Sequence, residues 1–298
     1  MSAHLRLLRP KQWTKNLLLF AAILFTNNLS NPDALSRTLM AFVAMCLISS
    51  AVYVFNDVKD VEKDRNHPVK KSRPIASGAV GVSSAVALGL LCALAGGAIV
   101  LWLGAKVAYV VLAYVIFQVL YNLGAKSVPV LDVFVVASGF VIRAMLGAAA
   151  IDVKVSGWLL LCTGALALML GFGKRRHEFV LQGEQRATSR ASLAHYSRES
   201  LDSLVLLTSA AAALCYGIYA LESPTAKQYP GLILTALFVF YGISRYTFLI
   251  FAGEGGEPEN LLFRDPHMIF TILLFVASAI LALSGVAPPL IDFTGDGR

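Results

Sequence analysis

Charge is what this chain has least of. Only 14% of its 298 residues are Asp, Glu, Lys or Arg, against 57% that are apolar. A soluble protein of this length would expose too much apolar surface, so the composition excludes a soluble globular fold and implies an integral membrane protein. Cysteine is scarce too. Cys46, Cys92, Cys162 and Cys215 all fall within apolar runs, and none is paired at metal-ligand spacing. That excludes a disulfide framework or a zinc centre and leaves four small packing residues. Low-complexity segments, short repeats and linkers long enough to separate domains are absent, so residues 1–298 are expected to form a single membrane domain. No soluble basic region exists to carry a nucleic acid, which removes that partner class.

What the chain does have is apolar runs. They cover about Leu17–Leu29, Leu35–Phe55, Val80–Leu103, Lys106–Tyr121, Val130–Ala150, Gly157–Phe172, Leu201–Ala220, Gly231–Phe251 and His267–Leu283. Several approach the roughly 20 residues that a bilayer core requires. The expectation is an all-α, polytopic protein of nine transmembrane helices. The first run is short, but no small-x-small cleavage site follows it, so it reads as a helix rather than a signal peptide. Lys and Arg concentrate before the first run, between the second and third, and between the sixth and seventh. Alternate loops carry single charges, Arg37, Lys106, Lys154 and Lys227. The positive-inside rule then places the N-terminus in the cytoplasm of a bacterial-type plasma membrane, and nine crossings place the C-terminus outside. The net charge of +7 thus describes one face, suited to anionic lipid or phosphorylated substrates.

On that face the second run ends in Asn56-Asp57-Val58-Lys59-Asp60-Val61-Glu62-Lys63-Asp64. Asn56, Asp60 and Asp64 are spaced i, i+4, i+8, and Asp57 lies three before Asp60, so a continuing helix puts all four on one side within two turns. Lys59, Lys63 and Arg65 fall mostly off that side. Segregated carboxylates repel one another unless a hard cation sits among them. Mg²⁺ is the natural candidate, since it takes a few carboxylates plus substrate phosphates. Asn56, Asp57, Asp60 and Asp64 are therefore the expected metal ligands.

Cations follow. Pro68 is expected to stop the helix, so that a basic loop carrying Lys70, Lys71 and Arg73 folds back beside the acids. Arg73, followed by Pro74, is the candidate for phosphate; Lys70 and Lys71 read as topology signals. Arg143 lies deep within the fifth run, where an arginine costs at least about 2.5–3.5 kcal/mol unless it faces a partner or a wet cavity. It suits either a substrate phosphate or a structural pair with a buried carboxylate such as Asp132. Tyr121 and Lys126 close the fourth run near the acidic face. Gly171-Phe172-Gly173-Lys174-Arg175-Arg176-His177-Glu178 could close around phosphate oxygens, with Arg176 read as topogenic. Lys15, in Arg9-Pro10-Lys11-Gln12-Trp13-Thr14-Lys15-Asn16, could reach a lipid phosphate.

Taken together, these pieces resemble the UbiA superfamily of membrane prenyltransferases over almost the whole chain. The resemblance rests on the Arg9–Asn16 opening, the Asn56–Asp64 acids with Arg73-Pro74-Ile75, Tyr121…Lys126, and Gly139-Phe140…Arg143. It implies nine helices around a central cavity, a cytoplasmic Mg²⁺–diphosphate site and a lateral opening for a polyprenyl chain. One segment departs from the aromatic-acceptor members. Where they carry a second aspartate-rich motif, this chain reads Gly173-Lys174-Arg175-Arg176-His177-Glu178. Cations in place of carboxylates suit a site that holds more phosphate. This pattern, with Val130–Phe140 and Gly256-Glu257-Pro258-Glu259-Asn260-Leu261-Leu262…Asp265, is similar to the decaprenyl-phosphate phosphoribosyltransferase branch.

That resemblance implies transfer of phosphoribosyl from 5-phosphoribosyl 1-diphosphate to a polyprenyl phosphate, with Mg²⁺ as cofactor. Asp57, Asp60, Asp64, Lys126 and Tyr121 would be catalytic. Lys15, Arg73, Arg143, Lys174, Arg175 and Glu178 would bind substrate. The expected partners are those two substrates and the lipid bilayer, and a homo-oligomer is compatible with the sequence. Two alternatives stand beside this reading: an aromatic-acceptor prenyltransferase using the same acids, and a lipid or solute transporter using the intramembrane charges.

Overall fold

The computed structural model describes residues 2–66, 70–182, 191–254, 261 and 264–284. Among them there is no strand. In chain order the α-helices are α1 (Ala3–Leu7), α2 (Phe20–Phe25), α3 (Pro32–Lys59), α4 (Val61–Arg65), α5 (Val82–Leu103), α6 (Ala105–Leu123), α7 (Leu131–Ala150), α8 (Gly157–Gln182), α9 (Arg198–Glu222), α10 (Pro224–Gln228), α11 (Leu234–Phe251) and α12 (Pro266–Leu283). By length and composition, eight helical segments of the described residues can cross a membrane: α3, α5 to α9, α11 with the 3₁₀ turn before it, and α12. They match eight of the nine apolar runs. The first run takes another form, a 3₁₀-helix over Pro10–Leu19 leading into α2. A 3₁₀-helix rises about 2.0 Å per residue, so the two pieces together reach about 29 Å, close to the ~30 Å hydrocarbon thickness.

Local chemistry sets the helix ends. The Asn31 side chain accepts the N–H groups of Asp33 and Ala34 at 3.0 and 3.3 Å, and Pro32 occupies the first turn, so α3 starts there. Its 28 residues reach about 42 Å, beyond the bilayer core, which carries the acidic end out of the hydrocarbon. Ser197 and Ser200 cap α9 reciprocally, each hydroxyl accepting the other's N–H. Asp265 caps α12 by accepting the Met268 N–H at 2.9 Å. Its carboxyl is held below the usual range, chiefly by hydrogen bonding to Arg245.

The chain divides into two compact units. The first comprises residues 1–123 and 142–154, the second 124–141 and 155–298. Within the first unit, α3 packs along α5. A Cβ on Gly89 would stand 3.2 Å from Val54 and one on Gly96 would stand 3.1 Å from the Ala44 carbonyl, so both glycines mark close approach of the two backbones. Met45, Ile48, Leu103, Val107, Tyr114 and Leu146 fill the core there. Arg37 ties two helix C-termini, its Nε donating to the Ala150 carbonyl at 2.6 Å and its Nη2 to the Leu103 carbonyl at 2.9 Å. Within the second unit α8 packs along α9, around Met169, Phe172, Leu201, Val205 and Ala212. Leu91, Leu94, Leu101, Leu181, Leu207 and Leu237 stay exposed, as lipid-facing residues do.

Candidate active site

The acidic motif straddles a slight break. α3 stops at Lys59, Asp60 adopts φ −94°, ψ 8°, and α4 resumes at Val61. The hydrogen-bond ladder nonetheless continues, Asp60 N–H to Asn56 carbonyl at 3.0 Å and Asp64 N–H to Asp60 carbonyl at 2.9 Å. The helical register therefore carries through the motif. Asp57 and Asp64 are each only 3% exposed, whereas Asn56 and Asp60 are half-buried beside them. Lys59 turns away to the Asn122 carbonyl and Arg65 to Glu62, so the cations interleaved in the motif do leave the acidic side.

Arg73 closes this cluster. Its Nη1 donates to Asp57 Oδ1 at 3.0 Å and to Asp64 Oδ2 at 2.7 Å, holding the two carboxylates within reach of a single nitrogen. The loop after the motif thus returns as the sequence suggests, although His67, Pro68 and Val69 lie outside the described residues. Arg9 also reaches Asp57 Oδ1, at 2.5 Å, with its guanidinium 5.0 Å from the Tyr53 ring centroid. Arg9 has φ 53°, a left-handed conformation, and Trp13 Nε1 to Ser50 Oγ at 3.0 Å and Ser50 Oγ to the Leu8 carbonyl at 2.8 Å fasten the segment around it.

Among the described residues no three His, Cys, Asp or Glu side chains form a group able to hold a metal. Two convergent carboxylates do occur, and Mg²⁺ commonly takes one or two from the protein and the remaining oxygens from phosphate and water. Asp57 and Asp64 fit that ligand set.

In the second unit, Asp132 is fully buried. Its Oδ2 accepts the Ser192 hydroxyl at 3.1 Å and lies 3.2 Å from Arg175 Nε; its Oδ1 accepts the Tyr196 hydroxyl at 3.1 Å. Arg175 Nη1 donates to Glu178, so two of the expected phosphate-site residues are linked. Burial pushes the Tyr196 phenol up to about 12, which keeps it a proton donor at neutral pH. Lys174 precedes Arg175 on α8, and Lys126 lies in the 3₁₀ turn Ala125–Ser127; both are half-buried.

Two readings need correction. Asp132 does not serve Arg143: the two are eleven residues apart on α7, roughly 16 Å along its axis. Arg143 instead donates from Nε to Asn16 Oδ1 at 2.7 Å and lies 5.0 Å from the Tyr114 ring centroid, all three buried in the first unit. Lys15 is Asn16's half-buried neighbour, and Tyr121 sits in the last turn of α6, both in that unit. Arg176 is not a solvated topology signal either. It is 4% exposed, with Nε on Asp202 at 2.5 Å, Nη1 on the Ile250 carbonyl at 2.9 Å and its guanidinium 4.6 Å from the Phe251 ring centroid, so it fastens three helices together. Of the Gly256–Leu262 motif only Leu261 is among the described residues; Asp265, which ends it, pairs with Arg245 at 2.7 Å.

Sequence reasoning missed Arg9 as a partner of Asp57, and Ser192 and Tyr196 as partners of Asp132. Each is remote from its acid in the chain and belongs to no periodic pattern, so only the folded contacts reveal it.

Known proteins resemble this chain in sequence and fold. Residues 17–264 match the model of the UbiA prenyltransferase family. The decaprenyl-phosphate phosphoribosyltransferase of Mycolicibacterium smegmatis is 35% identical over 290 residues, spanning 93% of this chain and 91% of that protein. Its namesake from Mycobacterium tuberculosis is 36% identical over 282 residues, spanning 91% of each. The structure of a UbiA homolog from Archaeoglobus fulgidus bound to GPP and Mg²⁺ superposes with a TM-score of 0.74 over 95% of this chain and all of that one, at 19% identity. The family match over most of the length, the full-length relatives and the common all-helical membrane fold agree: this chain is a member of the UbiA prenyltransferase family.

Proposed function

We propose that this protein transfers the 5-phosphoribosyl group from 5-phosphoribosyl 1-diphosphate to a polyprenyl phosphate, decaprenyl phosphate by kinship, and releases diphosphate. The observation that carries the reading is the pair Asp57 and Asp64 gathered on Arg73, together with full-length relatives of that activity. The chain 1–298 acts as a single catalytic domain, with its N-terminus and acidic face in the cytoplasm of a bacterial-type plasma membrane.

The bond that breaks joins the anomeric carbon to the diphosphate, and the bond that forms joins that carbon to an oxygen of the lipid phosphate. Asn56, Asp57, Asp60 and Asp64 would hold Mg²⁺, which when bound neutralises charge growing on the leaving diphosphate. Arg73 and Arg9, already on the carboxylates, keep the cluster from repelling itself and stand ready for diphosphate oxygens. Lys126, Lys174 and Arg175 grip the diphosphate or the 5-phosphate, with Glu178 fixing Arg175, and Tyr121 donates a hydrogen bond near the reacting end. Arg143 and Lys15 serve the lipid phosphate. A phosphate oxygen is already ionised at neutral pH, so no side chain has to act as general base. Cations at Lys174 and Arg175, where aromatic-acceptor members carry carboxylates, favour a substrate set rich in phosphate.

The test is direct. Protein purified in detergent is incubated with labelled 5-phosphoribosyl 1-diphosphate, polyprenyl phosphate and Mg²⁺. Label is expected in the organic phase. Label that stays aqueous, while an aromatic acceptor is prenylated from a prenyl diphosphate, would reverse the assignment.

A further inference from the structure

We infer that Tyr196, with Ser192, is a positioning residue for binding a substrate phosphate: it sets Arg175 through the buried Asp132 carboxylate that they share, and the Lys126 turn through the Val130 N–H. The inference rests on the reading above and extends it to residues outside the expected site.

The geometry runs through one acid. Asp132 meets the Ser192 hydroxyl, the Tyr196 hydroxyl and Arg175 Nε at 3.1, 3.1 and 3.2 Å. They come from two places in the second unit. Ser192 belongs to the 3₁₀ turn Ala191–His195, Tyr196 follows it, and Arg175 lies on α8. The Tyr196 oxygen also accepts the Val130 N–H at 2.5 Å. Val130 has φ 67°, a left-handed conformation that strains a β-branched residue. That conformation persists because Tyr196 fixes the N–H from one side while the Asp132 and Phe134 N–H groups bond back to the carbonyls of Val128 and Val130. Four residues earlier stands Lys126, in a turn packed against the Ala191–His195 turn. The phenol therefore bears on two cations. It orients the carboxylate that is ion-paired with Arg175, and it holds the strained residue that ends the Lys126 loop.

Removing the hydroxyl leaves the ring packed but strips one partner from Asp132 and one from Val130. Arg175, still bonded to Glu178 through Nη1, would then be less firmly oriented on its Asp132 side without losing its charge. The expected signature is weakened phosphate binding with the transfer step largely spared.

The experiment uses the full-length protein in detergent and measures Mg²⁺-dependent binding of 5-phosphoribosyl 1-diphosphate by calorimetry, with no lipid acceptor present, followed by kcat and KM. Tyr196→Phe is expected to weaken binding and raise KM about tenfold, with kcat within about threefold of wild type. Ser192→Ala, the milder variant, is expected to act in the same direction and serves if Tyr196→Phe does not fold. Arg175→Lys combined with Tyr196→Phe is expected to add little to Arg175→Lys alone, because both act on one guanidinium. Wild-type binding that Tyr196→Phe and Ser192→Ala leave unchanged, or fully additive effects with Arg175→Lys, would overturn the inference and leave the proposed reaction standing. Absence of binding to the wild type would overturn both.

Discussion

Arg73 bonds two carboxylates seven residues apart in the chain through one nitrogen, Nη1, which the rigid plane of its guanidinium holds between them. A lysine carries the same charge on a single nitrogen with no planar pair of donors. Arg73→Lys is therefore expected to keep the fold and lower turnover at least about tenfold, read as kcat/KM in a purified preparation; unchanged kcat/KM would remove Arg73 from the site. Gly147 gives a second test at this scale. A Cβ there would run into the backbone carbonyl of Leu19, a neighbour that cannot swing aside. Gly147→Ala should destabilise the protein by about 1–3 kcal/mol and lower its thermal midpoint. Much of this was readable in the chain. Asn56, Asp57, Asp60 and Asp64 share a face because helix periodicity is local, so spacing alone brings them together. Arg9 on Asp57 and Tyr196 on Asp132 are 48 and 64 residues apart, and no periodicity carries over such distances.

Among the helices, the apolar runs predicted eight long elements closely, since a bilayer dictates both their length and their composition. The first run differs in kind. A 3₁₀-helix containing Lys11, Lys15 and the buried Asn16 has no apolar periodicity to announce it, and its Asn16 meets Arg143 and Cys46, remote in the chain. Arg176 illustrates the opposite error: a cation cluster at a helix end reads as topogenic until Asp202 and the Ile250 carbonyl are seen around it. At the far ends of the first unit's helices, Arg37 joins α5 to α7 by their terminal carbonyls. Arg37→Ala should cost about 2 kcal/mol, since two carbonyls lose a charged donor. Thermal unfolding in detergent measures it, and a midpoint matching wild type would mean that water replaces the guanidinium without loss.

For the molecule as a whole, the charge asymmetry predicts which side faces the cytoplasm. Cys46, Cys92 and Cys162 are buried, so background labelling by a membrane-impermeant thiol reagent should be low. In intact cells Lys227→Cys should react and Lys63→Cys should not; the reverse pattern would put the acidic cluster on the wrong side of the membrane for a cytoplasmic sugar diphosphate. Composition and the acid spacing pointed to a membrane enzyme with a segregated acidic motif on its cationic face. The partition into two compact units, and the buried Asp132 cluster within the second, came from contacts that only folding creates.

The central claim is that Asp57 and Asp64 together present oxygen ligands to a divalent ion and its diphosphate. Titrating Mg²⁺ against binding of 5-phosphoribosyl 1-diphosphate, for wild type and for Asp64→Asn, tests it most directly. Wild type should bind the sugar diphosphate only when Mg²⁺ is present, and Asp64→Asn should lose that dependence along with at least about tenfold in affinity. Equal, Mg²⁺-dependent binding by a folded Asp64→Asn protein would contradict the claim.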